Sequence, residues 1–160
     1  FRKNQDFPDF VFSKKFNAEV SEGKTGKEKI VVARPDTFMN KSGQAAASLA
    51  RFYKIKPENI FVIHDDTDLK LGQTKLAFGK HSAGHKGVES VIKSLKTRDF
   101  WRLRVGVAGK KDVPAEKIIL RKFMPEEIKL IKKVSKKTVE TLDLIISVGP
   151  EKAMNEYNQN

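Results

Sequence analysis

Three clusters in this sequence hold side chains that could act on a substrate, and each lies where an apolar run stops or a helix-like pattern starts. In Asp36-Thr37-Phe38-Met39-Asn40-Lys41-Ser42-Gly43, the Asn40 amide is donor and acceptor at once. It could pair with an ester or peptide carbonyl and the neighbouring N–H, in the strand-end crevice where α/β folds place ligands. The plainer alternative is that Asn40 and Ser42 only satisfy the N–H groups that open a helix.

The second cluster is His64-Asp65-Asp66-Thr67-Asp68. Adjacent carboxylates repel, so at least one must be exposed, hydrogen-bonded or paired with a cation. Two of them could hold Mg²⁺, one could orient a histidine as a general-base pair requires, or the stretch could be an Asp-rich turn bonded to its own backbone. The third, Gly79-Lys80-His81-Ser82-Ala83-Gly84-His85-Lys86-Gly87, is a glycine loop ahead of a helix pattern, suited to close approach by an anion. It lacks the spacing of a nucleotide-triphosphate loop, and its glycines argue against the helical pairing of His81 and His85 on a metal.

The elements that must carry these clusters are legible from periodicity. Residues 10–20 and 28–33 read as a hairpin around Gly23 and Gly26. Pro35-Asp36 ends the second strand, and residues 42–53 repeat apolar side chains at helical spacing with Ser42 as expected N-cap. Residues 60–63 form an apolar strand ending at His64, of the kind usually central and covered on both faces. Residues 74–78 read as a strand and 88–95 as a helix. Residues 101–107 alternate as a strand with Arg102 and Arg104 on one side. A polar connection at 109–113, a short helix over 112–121, a long amphipathic helix over 125–148 and a last helix from Pro150 to about Tyr157 complete the chain. Alternating strands and helices predict an α/β fold, here read as one domain over residues 1–160.

Composition narrows the chemistry further. The 160 residues carry a formal charge of +12 and no cysteine, which excludes disulfides, thiolate zinc sites and a cysteine nucleophile. No apolar run approaches the roughly 20 residues needed to span a bilayer, so a soluble, cytoplasmic protein is expected. Residues 69–111 hold eleven Lys and Arg against Glu89 and Asp99 alone, a concentration of positive charge that would attract a polyanion such as nucleic acid.

Taken in order, Arg34 to Gly43 with its TFMN-x-SG, Phe52-Tyr-Lys-Ile, the HDD-x-D-L run from His64 to Leu69, SAGH-x-G from Ser82 to Gly87 and Phe100-Trp-Arg-Leu-Arg-Val-Gly106 resemble the bacterial peptidyl-tRNA hydrolase family. The resemblance implies a single-domain α/β protein with a mixed, twisted central sheet flanked by helices. It also implies cleavage of the ester joining a peptide to the 3′ end of tRNA, no metal or other cofactor, peptidyl-tRNA as partner, and a monomer. Carried over by position, Asn40 would bond the peptidyl backbone or the attacking water, and Phe38, His85 and Lys86 would lie at the substrate. Asp65 would orient the catalytic histidine, while Arg104, with Arg102 or Lys75, would meet tRNA phosphates.

Two departures shape the expectations. The family's general-base histidine follows a strand and a Gly-Asn-Pro-Gly turn, and no such segment occurs here, where the histidines are His64, His81 and His85. With Phe1 in place of an initiator Met, this implies an N-terminally truncated domain that lacks its first central strand and its base and hydrolyses little by itself. Lys86 stands where the family carries an Asn, and an ammonium cannot accept a hydrogen bond. A non-catalytic RNA-binding module and a Mg²⁺-dependent phosphohydrolase using Asp65, Asp66 and Asp68 are the alternatives.

Overall fold

The computed structural model describes residues 1–108 and 122–158, which fall into two compact units. The first comprises Phe1–Ile60 and Gly79–Phe100. Its strands β1 (Val11–Ser13), β2 (Ala18–Thr25) and β3 (Glu28–Pro35) form an antiparallel sheet in that order. Residues 10–20 are not one strand, as expected, but two. Asn17 adopts φ 48° and turns the chain between them, with the Phe16 N–H donating to the Ser13 carbonyl at 3.1 Å. The tight turn after β2 falls at Gly26, where φ is 62° and glycine avoids the Cβ clash.

Helix α1 (Ser42–Tyr53) lays Ala45 and Leu49 on Phe16, Ala18 and Val20 of the hairpins, the buried core of this unit. Ser42 is not the N-cap. A 3-10 turn at Met39–Lys41 runs straight into the helix, so Lys41 takes the cap position without a side-chain bond, and the Ser42 hydroxyl donates back to the Met39 carbonyl at 3.0 Å. Helix α2 (Lys86–Leu95) buries Val88 and Val91, two residues of the apolar face read from its spacing.

The second unit comprises Phe61–Phe78 and Trp101–Asn160. Its strands β4 (Phe61–Lys70), β5 (Thr74–Phe78) and β6 (Trp101–Ala108) form a mixed sheet in the order β4-β6-β5, with β6 parallel to β4 and antiparallel to β5. The expected central strand is thus an edge of this sheet, and it does not end at His64. Backbone pairing of His64 with Arg104, Asp65 with Val105 and Asp66 with Gly106 carries it through the acidic cluster, which lies in a strand and not a turn. One face of the sheet packs Leu76, Trp101 and Leu103 against Ile145 of α3 (Pro125–Val148) and against Ala153 and Tyr157 of α4 (Pro150–Asn158). Asn158 bonds both the N–H and the carbonyl of Leu76 at 3.0 Å, standing in for a neighbour strand along β5.

The fold is α/β, as expected, but the described strands make two three-stranded sheets in place of one central sheet. Among the described residues, ladder bonds run along one side only of β3, to β2, and of β4, to β6. The connection at 109–113 and the helix over 112–121 lie outside the described residues. Among the described residues no helix is long and apolar enough to cross a membrane.

Candidate functional site

The residues singled out from sequence divide between the two units. In the first, Phe38 and Asn40 sit on the turn leading into α1, both exposed, Phe38 to 78%. Two glycines seat that turn on α2. The Gly43 N–H donates to the buried Ser90 hydroxyl at 3.0 Å, and a Cβ at Gly43 would run into the Ser90 carbonyl. A Cβ at Gly87 would strike the sulfur of Met39, the residue next to Asn40. The glycines closing TFMN-x-SG and SAGH-x-G are therefore the contact points that bring Asn40 beside the start of α2. Ser90, which completes the contact, carried no signal in the sequence beyond its place on a helix face.

His85 is the N-cap of α2. Its Nδ1 accepts from the N–H groups of Gly87 at 3.1 Å and Val88 at 3.2 Å, which fixes that nitrogen as an unprotonated acceptor. Lys86 follows at the first helical position, exposed, where the helix dipole disfavours a cation and an approaching anion would be welcome. His81 lies against Arg98, whose Nη1 is 3.0 Å from each ring nitrogen. An open groove lined by Asn17, Asp36, Thr37, Phe38, Lys41 and Gln44 runs beside the Asn40 turn.

In the second unit the acidic cluster is split by the strand itself. Successive side chains alternate between faces, so Asp65 points away from His64 and Asp66. The His64 Nδ1 lies 2.6 Å from the backbone carbonyl oxygen of Asp65. Asp66, 7% exposed, accepts from Arg104 Nε at 2.6 Å through Oδ2 and from the Asp68 N–H at 2.9 Å through Oδ1. Burial pushes its carboxyl up, but the bonds from Arg104 and Asp68 and the charges of Arg104 and His64 outweigh that and hold it below the ordinary carboxylate value.

Arg104 and Lys75 are register partners across β6 and β5, and Lys75 is exposed. Arg102 shares their face but is 2% exposed, which corrects its expected place on a phosphate-facing surface. Alternation assigned its face, and only packing decided its depth. Burial and then the neighbouring Arg104 charge lower its pKa, with Asp66 opposing. The Asp66–Arg104 pair was also missed in the sequence, although His64-x-Asp66 and Arg102-x-Arg104 repeat with the two-residue period that puts each pair on one sheet face. Among the described residues no three His, Asp or Glu side chains converge as metal ligands, and Asp66 is already occupied by a guanidinium. The geometry thus gives no footing to a Mg²⁺-dependent phosphohydrolase.

A family model described as Peptidyl-tRNA hydrolase matches residues 3–160. The match begins at residue 3 and lends no support to the expected loss of a first segment. The curated peptidyl-tRNA hydrolase of Desulfitobacterium hafniense is 39% identical over 150 residues, spanning 92% of this chain and 80% of the relative. That of Aquifex aeolicus is 41% identical over 143 residues, spanning 89% and 74%. A crystal structure of peptidyl-tRNA hydrolase from Acinetobacter baumannii superposes with a TM-score of 0.88 at 25% identity, over 98% of this chain and 80% of that one.

Proposed function

The chain belongs to the peptidyl-tRNA hydrolase family, and from that premise we propose how its residues divide the work of cleaving the ester between peptide and tRNA. A water attacks the ester carbonyl as a histidine takes its proton. The tetrahedral intermediate then collapses, releasing the tRNA 3′-oxygen, which takes up that proton, and a free peptide carboxyl. Asn40 orients the attacking water or the peptidyl carbonyl, and Asp65 holds the histidine in the tautomer that accepts. Phe38 and Lys86 contact the acyl and 3′-terminal end, His85 keeps Lys86 and Asn40 in place as the cap of α2, and Arg104 with Lys75 meets tRNA phosphates. The observation that carries this division is the seating of the Asn40 turn on the first two turns of α2 through Gly43 and Gly87.

The three histidines of the chain are engaged otherwise: His85 as a cap, His81 with Arg98, and His64 buried with its Nδ1 at the Asp65 backbone. None of the three is poised as a general base, which supports little hydrolysis by residues 1–160. The test is release of deacylated tRNA from peptidyl-tRNA by residues 1–160 and by their His64→Ala, His81→Ala and His85→Ala variants. Slow release that none of the three substitutions abolishes is expected. Full activity of residues 1–160, abolished by His64→Ala, His81→Ala or His85→Ala, would overturn the assignment. The reading also places the protein in the cytoplasm, as a monomer, where its substrate is made.

A further inference from the structure

We infer that Asp66 is a positioning residue for tRNA binding, acting through Arg104. The inference rests on the reading that Arg104 meets tRNA phosphate, and it gives Asp66 a part in that contact. Arg104 emerges from β6, the central strand, and Asp66 from β4 beside it, on the same face. The carboxylate engages Nε, the side of the guanidinium, at 2.6 Å. This leaves the two Nη groups, the fork that matches a phosphate, for a second partner. No Nη bond from Arg104 is found among the described residues.

Asp66 is itself fixed. Its other oxygen accepts the Asp68 N–H at 2.9 Å, and it is only 7% exposed, so it has no freedom to swing aside with the arginine. Arg104 has a side chain 17% exposed and sits two residues from Arg102 on one face, so without Asp66 the two like charges would repel and Arg104 would lose its fixed plane. A flexible arginine must be ordered when it binds, and a pinned one has already lost that freedom. The same carboxylate could in principle act the other way, as a competing anion that weakens phosphate binding. The two roles predict opposite signs.

The test measures binding of deacylated tRNA as a function of salt. Arg104→Gln is expected to weaken binding about tenfold and to lower the salt slope by about one. If it does neither, the phosphate reading of Arg104 has failed, and the inference with it. Given that loss, Asp66→Asn is expected to weaken binding several-fold at low salt. Asp66→Glu should restore it, and Asp66→Asn with Arg104→Gln should bind no worse than Arg104→Gln alone. Tighter or unchanged binding by Asp66→Asn would overturn the inference.

Arg104→Lys provides a second arm that does not depend on the folding of Asp66→Asn. It keeps the charge but lacks the fork and the Nε, so it should bind as weakly as Arg104→Gln. Binding by Arg104→Lys at the level of the unaltered protein would show that charge alone suffices and that nothing needs positioning.

Discussion

The Gly43 N–H donates to the Ser90 hydroxyl at 3.0 Å at a point where the backbones of α1 and α2 meet so closely that no side chain fits on Gly43. Gly43→Ala must therefore push the helices apart, for about 1–3 kcal/mol of lost stability. Ser90→Ala leaves a buried N–H without its acceptor and costs about 1–3 kcal/mol by a different route. Because both changes act on one contact, the double variant should lose clearly less than the sum of the two. Thermal or urea denaturation of the single and double variants reads this directly.

His85 is expected to act first as a cap. His85→Ala should cost about 1 kcal/mol, whereas His85→Asn, which keeps a side-chain acceptor, should recover most of it. If the cap is what substrate binding requires, KM should follow stability across the pair. A large rise in KM for a fully stable His85→Asn would show instead that the imidazole itself contacts substrate.

Asp65 and Lys75 should separate in kinetics. In a form that hydrolyses peptidyl-tRNA, Asp65→Asn should lower kcat by about 10²–10⁴ with KM little changed, the mark of a group that orients a general base. Lys75→Ala should raise KM, leave kcat, and reduce the salt slope of binding by about one. Equal losses of kcat in both variants would contradict the division of roles. EDTA should leave the rate of either protein unchanged.

Acid should loosen the second unit through Asp66. Its carboxyl lies below the ordinary value of 3.8 in the folded chain, so the stability it contributes is present above that value and falls away as the pH drops through the lower, folded one. Asp66→Asn should cost about 3 kcal/mol at neutral pH, since a buried partner is lost, and should flatten the decline in stability as the pH falls below the ordinary carboxylate value. An unchanged acid limb in urea melts would show that other carboxylates dominate.

Much of the layout was legible in the sequence because local pattern and tertiary demand agreed. The apolar spacing of residues 42–53 and 125–148 set two helices at their observed bounds, and Thr74–Phe78 was a strand as read. The errors have physical causes. Asn17 could turn the chain without a glycine because asparagine tolerates the left-handed region. The acidic cluster looked like a turn because its side chains are polar, yet a strand is set by backbone bonds, and β6 supplied them from Asp66 back to Phe61. Ser42 looked like a cap because serine often is one, until the preceding 3-10 turn took up the helix start.

By itself the sequence determined which chemistry was present: an Asn40 turn, an acidic cluster, a glycine loop and a basic segment, in an order that marks one family. Tertiary structure decided which of these groups have partners. It buried Arg102, exposed Lys75, joined Asp66 to Arg104 and made His85 a cap. Side-chain type and spacing report the face of an element on which a group stands, whereas depth and pairing depend on residues far away in the chain. Asp66 and Arg104 are 38 positions apart, and only the parallel pairing of β4 with β6 brings them within bonding distance.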